Sequence, residues 1–191
     1  MLTVFGHDPG TRNYGMAIVS FKNLNGRVKY KIRMTGKLQS TANIQGTTGK
    51  EMGITLDKYL REVKKISKGY EVDEIVAERF MSRGNGGTLI ESVNMMLGQL
   101  NTVSRNKITL LSASTWKNRV NKFFDLKDFY TQVRVEAHEV DAVLMSMYCA
   151  EQILDLDILP RFKKKNERTN LIKVIESCTT SQLKKPKRKK R

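Results

Sequence analysis

Three strand-like runs succeed one another before residue 39, and from there the chain changes to alternating helical and strand patterns. This order restricts the fold more than any other feature, because it calls for a sheet that begins as a meander and continues through crossovers. Leu2 to Asp8 is short, mostly apolar and stops at Pro9-Gly10, and Tyr14 to Phe21 resumes the apolar pattern. Pro9 and Gly10 suit the second and third positions of a type II turn, since proline presets φ and glycine tolerates a positive one. Val28 to Leu38 then sets Val28, Tyr30, Ile32 and Met34 against Lys29, Lys31 and Arg33. That period of two predicts a half-buried strand with a wetter second face.

A polar, glycine-bearing connection from Thr41 to Gly49 leads into a helical pattern marked by Ile54, Leu56, Tyr59, Leu60, Val63 and Ile66. Lys64, Lys65 and Lys68 fall in its last turns, where they complement the helix dipole. Asp73 to Glu78 reads as a buried strand ending on an acid. A Gly-rich loop, Ser82 to Gly87, separates it from a helix over Thr88 to Ser104. Ile108 to Leu111 is a further sheet-core candidate. Ser112 to Thr115 supplies small hydroxyl residues to cap the helix carrying Trp116. Val140, Val143, Leu144, Met147 and Tyr148 are spaced for a helix facing the sheet, and Pro160 closes the region. The expected architecture is α/β: a central mixed sheet, an antiparallel three-strand meander followed by parallel strands, flanked by helices. It occupies residues 1–160, with a basic C-terminal extension over residues 161–191.

A chain of 191 residues fits one domain of this kind. Cys149 and Cys178 are too far apart and too few for a disulfide framework or a zinc pattern, and read as ordinary thiols of a reducing compartment. No leader precedes Leu2, and no apolar run nears the roughly 20 residues that span a membrane. A soluble, cytoplasmic protein with no membrane partner is expected. The net charge of +16 invites a polyanion. Residues 161–191 hold 13 basic and 2 acidic residues, an excess of 11 out of that 16. Lys184 to Arg191 reads as a phosphate-binding arm, disordered when free; a solubilising tail and a nuclear address are the other readings.

Four ionisable positions stand where such a sheet would present chemistry: Asp8 and Glu78 end strands, and His138 and Asp141 open a helix three residues apart, on one face. Glu136 and Glu139 lie off that face and read as solvated acids. Carboxylates on separate rigid elements suit magnesium, a hard ion that takes oxygen ligands and keeps positions open for substrate and water. Manganese is expected to substitute. Two ions about 3.5–4 Å apart clamp attacking and leaving oxygens; in that scheme Asp8 bridges them, with Glu78 on one and Asp141 on the other. His138 either ligates the second ion or handles the proton of the attacking water. Taken singly, each residue has an ordinary structural reading as turn former, surface acid or cap.

The segment Gly6-His-Asp-Pro-Gly-Thr-Arg-Asn-Tyr-Gly15 resembles the first-strand motif of the RuvC family of Holliday junction resolvases. The resemblance continues at Ile75-Val-Ala-Glu-Arg-Phe-Met81 and at His138-Glu-Val-Asp-Ala142, and covers roughly residues 2–155. It implies a ribonuclease H-like fold and a metal site of Asp8, Glu78, His138 and Asp141. Family members often carry aspartate where His138 stands, which leaves the charge of the site open. The resemblance further implies a homodimer that cuts four-way junctions and other branched DNA with paired symmetric nicks. Met95, Met96 and Leu97 are then candidates for the dimer seam, or simply core.

An aromatic wedge near the junction centre is also implied, with Phe80 the nearest candidate. Arg12, Arg79 and Arg83, with Gly84, Gly86 and Gly87 giving room, are candidate phosphate contacts. Lys117 and Lys127 resemble the basic residues that the family places near the scissile phosphate, though a solvated helix face explains them equally. A bacterial virus acting in host cytoplasm would suit such a chain. An actin- or chaperone-like ATPase also uses an acid after a first strand, but needs a second domain and a second phosphate loop. A ribonuclease H-like enzyme acting on RNA or RNA–DNA hybrids would use the same acids. A non-catalytic DNA-binding protein leaves those acids unexplained.

Overall fold

A computed structural model describes residues 1–10, 13–39, 49–79, 87–103 and 108–179. β1 (Leu2–Asp8) pairs antiparallel with β2 (Asn13–Leu24), which returns through Asn25-Gly26 into β3 (Arg27–Gln39). Both turn residues have positive φ, 53° and 81°. That is the requirement of a type I′ hairpin, which Asn-Gly meets with least strain. Asn23 Oδ1 accepts the Gly26 N–H at 3.0 Å and holds the turn. The type II turn expected at Pro9-Gly10 runs into Thr11 and Arg12, outside the described residues.

α1 (Gly49–Tyr70) connects β3 to β4 (Glu74–Arg79), and α2 (Gly87–Val103) connects β4 to β5 (Ile108–Ser112). The strand order is β3-β2-β1-β4-β5, with β4 parallel to β1 and β5 parallel to β4. A meander followed by parallel strands is therefore present as expected. The parallel register is set at its start, where Thr3 N–H donates to Asp73 Oδ2 at 2.7 Å and Asp73 N–H donates to Thr3 O at 3.0 Å.

Apolar residues cover both faces. Phe5, Met16, Ile18 and Ile75 pack with Leu56 and Val63 of α1 and Val93 and Leu100 of α2. Val4, Ala17, Val19 and Val76 pack on the other face with Val140, Val143 and Leu144. Met34 departs from the expected alternation. The β2–β3 register shifts so that Ile18 faces Met34 while Val19 faces Ile32, leaving Arg33 unopposed. A single extra residue reverses which side chains face which way. Val28, Tyr30 and Ile32 accordingly join one core and Met34 the other.

The second face is closed by α3 (Ala113–Asn121), α4 (Leu126–Gln132), α5 (Ala137–Leu154) and α6 (Lys165–Cys178), with a 3-10 turn over Leu159–Lys163. Ser112 caps α3 as expected, its Oγ accepting Thr115 N–H at 3.2 Å. α5 packs on β1 and β2 beneath α3 and the 3-10 turn, which is why it is apolar on almost every side. The sequence reading differs at two places. α4 was not anticipated, although Asp125 announces it by capping Asp128 N–H at 3.0 Å. Residues 165–178, expected within a basic extension, are helical, with Leu171 and Ile175 fully buried and Cys178 Sγ donating to Ile32 O at 3.2 Å. The core thus continues past Pro160. No described helix is long and apolar enough to cross a membrane, and Cys149 and Cys178 are free thiols.

Candidate active site

Alternation places Asp8 on the same face of β1 as Val4, and Glu78 on the same face of β4 as Val76. The register that pairs Val4 with Glu74 and His7 with Ala77 carries Asp8 alongside Glu78 one step further on. α5 lies across this face, and two glycines let it approach. A Cβ on Gly6 would stand 2.2 Å from the Ala142 carbonyl oxygen, and one on Gly15 would stand 2.0 Å from that of His138. Gly15 is the residue paired with Asp8 across β1 and β2. Helix and strand therefore meet beside the acid, and His138 Nδ1 lies 2.5 Å from Asp8 Oδ2.

α3 and α4 complete the cluster from outside. Lys117 Nζ lies 2.9 Å from Asp141 Oδ2 and 3.8 Å from Glu78 Oε2. Trp116 Nε1–H donates to Glu78 Oε2 at 3.0 Å, and the Tyr130 hydroxyl donates to Asp141 Oδ1. Asp8 and Asp141 are 6% and 5% exposed, so their charges are poorly hydrated and must be met by neighbouring groups.

The titration of these groups records their crowding. Burial raises the Glu78 carboxyl above its usual range; Asp8 and Asp141 push it further, against Lys117 and the Trp116 indole. Burial likewise raises Asp141, with Asp8 adding to it while Lys117 and Tyr130 pull it back. For Lys117, burial disfavours the charge, yet Asp141, Glu78 and Asp8 together hold the ammonium above its ordinary value. His138 is raised, first by its hydrogen bond to Asp8, against the opposing effect of burial. These mutual effects place three carboxylates, an imidazole and an ammonium within electrostatic reach of one another.

Of the other residues singled out, Arg79 is exposed at the end of β4 and Lys127 is exposed on α4. Arg12, Phe80, Arg83, Gly84 and Gly86 lie outside the described residues, as do residues 184–191. Met96 and Leu97 are buried in the core, and only Met95 of the suggested seam is exposed. Glu136 is a surface acid as expected, paired with Lys37 at 2.7 Å. Glu139 is not: it is 3% exposed, and burial raises its carboxyl. The β3 bulge explains this, because it turns Thr35 toward α5, where Thr35 hydrogen-bonds Glu139. Nothing in the sequence marks Trp116 and Tyr130 as partners of the acids. A lone indole before a lysine, and a tyrosine on an unanticipated helix, carry no spacing signal of their own.

The donor set is right in kind for a hard divalent cation: carboxylate oxygens and an imidazole, with burial and neighbouring charge raising the proton affinity of Glu78 and Asp141. Lys117 shows that a positive charge is accommodated between Glu78 and Asp141. Among the described residues, no three His, Cys, Asp or Glu side chains converge closely enough to ligate one ion in this arrangement. Ligation requires Lys117 and His138 to move off the carboxylates they now satisfy.

Two solved structures place this arrangement among known folds. A Thermus thermophilus RuvC structure matches at 15% identity with a TM-score of 0.63, covering 81% of this chain and 97% of that one. A structure of T. thermophilus RuvC in complex with Holliday junction substrate matches at 13% identity with a TM-score of 0.60, covering 80% and 96%. The chain thus has the ribonuclease H-like fold of RuvC, a mixed five-stranded sheet with flanking helices. No family model and no curated protein matches the sequence.

Proposed function

We propose that this protein is a magnesium-dependent endodeoxyribonuclease that resolves four-way and other branched DNA junctions as a homodimer. The observation that carries this reading is the meeting of Asp8, Glu78 and Asp141, from two strands and a helix, at one end of a sheet of the fold seen in RuvC. A similar RuvC was solved on Holliday junction substrate, which supports branched DNA over linear duplex. Asp8, Glu78, Asp141 and His138 would hold the cation, with manganese able to replace magnesium. Bound there, it would supply Lewis-acid polarisation of a phosphodiester and lower the pKa of water.

The chain's own groups have distinct tasks. Trp116 and Tyr130 fix the directions of Glu78 and Asp141, leaving their other oxygens for ligation. Lys117, once released from the acids, is placed to neutralise the phosphate being cut. His138, whose Nδ1 faces Asp8 in the metal-free arrangement, would either join the acids as a ligand or exchange a proton with the attacking water. A two-fold dimer presents two such sites to a substrate that is itself two-fold.

Purified protein with magnesium should nick a synthetic four-way junction at symmetric positions on opposing strands, and leave linear duplex largely intact. Equal cutting of junction and linear duplex would defeat the resolvase reading. Preferential cutting of an RNA–DNA hybrid would transfer the site to a different nuclease.

A further inference from the structure

A groove opens directly beside the acids. The end of α3, the turn over residues 122–125 and α4 enclose about 560 Å³, lined among others by Lys117, Asn121, Lys122, Phe123, Lys127 and Tyr130. Its inner wall belongs to the acid cluster as well, since Lys117 and Tyr130 are the side chains that hold Asp141. Whatever occupies the groove is therefore the immediate neighbour of a group bound at the acids.

The lining is basic and partly aromatic. Three lysines face one carboxylate, Asp125, whose Oδ1 already accepts the Asp128 N–H at 3.0 Å. Lys37, Arg119 and Arg161 are each tied to an acid, and Lys117 to Asp141 and Glu78. Lys122 and Lys127 are exposed and enter no ion pair among the described residues. Asn121 Oδ1 accepts Leu126 N–H at 3.1 Å, which fixes the amide and leaves its NH₂ to donate. Phe123 and Tyr130 are part-buried; Phe123 already carries Arg119 at 4.7 Å and Lys163 at 5.8 Å, which leaves Tyr130 as the aromatic surface of the recess. Uncommitted cations and aromatic surface about a small recess are the means by which proteins hold unpaired nucleotides, with phosphate on lysine and base against a ring.

We infer that this groove seats one unstacked nucleotide of the cleaved strand, adjacent to the scissile phosphate. Its base lies against Tyr130, and its outer phosphate lies between Lys122 and Lys127. This rests on the acids cutting DNA, and it adds a place where the flanking base matters, a property that phosphate contacts alone do not confer.

Four-way junctions carrying 2-aminopurine at one position at a time around the crossover test this when bound to the wild-type protein in EDTA. A parallel set carrying single abasic sites is cut under single-turnover conditions with magnesium. The expected result is a change in emission at one position flanking the cut. An abasic site at that same position should slow cutting roughly 5- to 150-fold, the range that base–aromatic stacking supplies. The double variant Lys122→Ala, Lys127→Ala should lose the emission change and cut intact and abasic junctions at matching rates. Junctions bound with unchanged emission at every flanking position, or cut at rates indifferent to abasic sites, overturn the groove assignment and leave the nuclease reading standing. Intact junctions that are bound but never cut overturn the nuclease reading, and the groove assignment with it.

Discussion

The chain's two histidines sit on opposite faces of one sheet and have opposite fates. His7 is the sequence neighbour of Asp8, but successive strand residues point to opposite sides, so it lies under α1 and α2. There it is wholly buried, with no carboxylate beside it among the described residues, and burial pulls its imidazole down to about 3. It is the end of a sealed polar chain, in which the Tyr59 hydroxyl donates to Tyr14 and Tyr14 OH lies 2.9 Å from His7 Nδ1. His138 arrives from residues far away in sequence, is partly exposed, and is pushed up by Asp8. The comparison teaches that proximity in sequence to Asp8 counts for little, whereas the face of the sheet decides whether an imidazole is held neutral by burial or paired with a carboxylate.

The largest test of that difference concerns the glycines. Gly15→Ala would drive a methyl group against the His138 backbone, and should cost about 1–3 kcal/mol in chemical denaturation. Cutting should fall further than lost stability explains, because α5 would be lifted from Asp8. Gly98→Ala in α2, under the other face, meets nothing within 4 Å and should stabilise the fold by about 0.5–1 kcal/mol. Matching effects at the two positions would break the comparison.

Glu78→Gln comes next. A carboxyl raised in the fold binds its proton more tightly than in the unfolded chain, so its contribution to stability falls as pH rises through the raised value. Removing the charge while keeping an oxygen for the Trp116 indole should raise the melting temperature at neutral pH, without divalent metal, by roughly 2–4 °C. The same variant should lose junction cutting. A stabilised variant that still cuts would show that Glu78 is only a crowded acid.

A smaller effect belongs to His138. Its raised pKa means that its pairing with Asp8 stabilises fully below the ordinary imidazole value of 6.5, and is lost as pH rises through the folded value. His138→Asn should therefore lose more stability near pH 5.5 than near pH 9, by less than about 1 kcal/mol after solvent screening. His7 runs the other way: its fold-depressed pKa destabilises progressively as pH falls from 6.5 toward about 3. The smallest change is expected from deleting residues 184–191, with their seven basic side chains. This should flatten the salt dependence of junction binding by up to about 0.9 in log–log slope for each phosphate contact removed.

Much of this was legible in the sequence because it rests on local periodicity. The alternation of β1 to β3, the acids that end β1 and β4, and the spacing of His138 and Asp141 on α5 are all short-range patterns. What escaped depends on register and on distant packing. A one-residue bulge moved Met34 to the other core and buried Glu139, and nothing in the run of β3 marks Arg33 as the extra residue. Trp116 and Tyr130 touch the acids only because α3 and α4 fold over α5. Gly6 and Gly15 bound the motif that contains Asp8. Their purpose, close approach by a helix remote in sequence, became visible only with α5 in place. Leu171 and Ile175 were hidden among lysines, so an apolar stripe passed for part of a tail.

The most direct test is single-turnover cutting of a synthetic four-way junction by the wild type and by Asp8→Asn. Asp8 pairs with Gly15 across β1 and β2 and meets His138, so its loss should slow cutting at least about a thousandfold, the equivalent of several kcal/mol of transition-state stabilisation, while the junction stays bound. Cutting by Asp8→Asn at the wild-type rate would contradict the account at its centre.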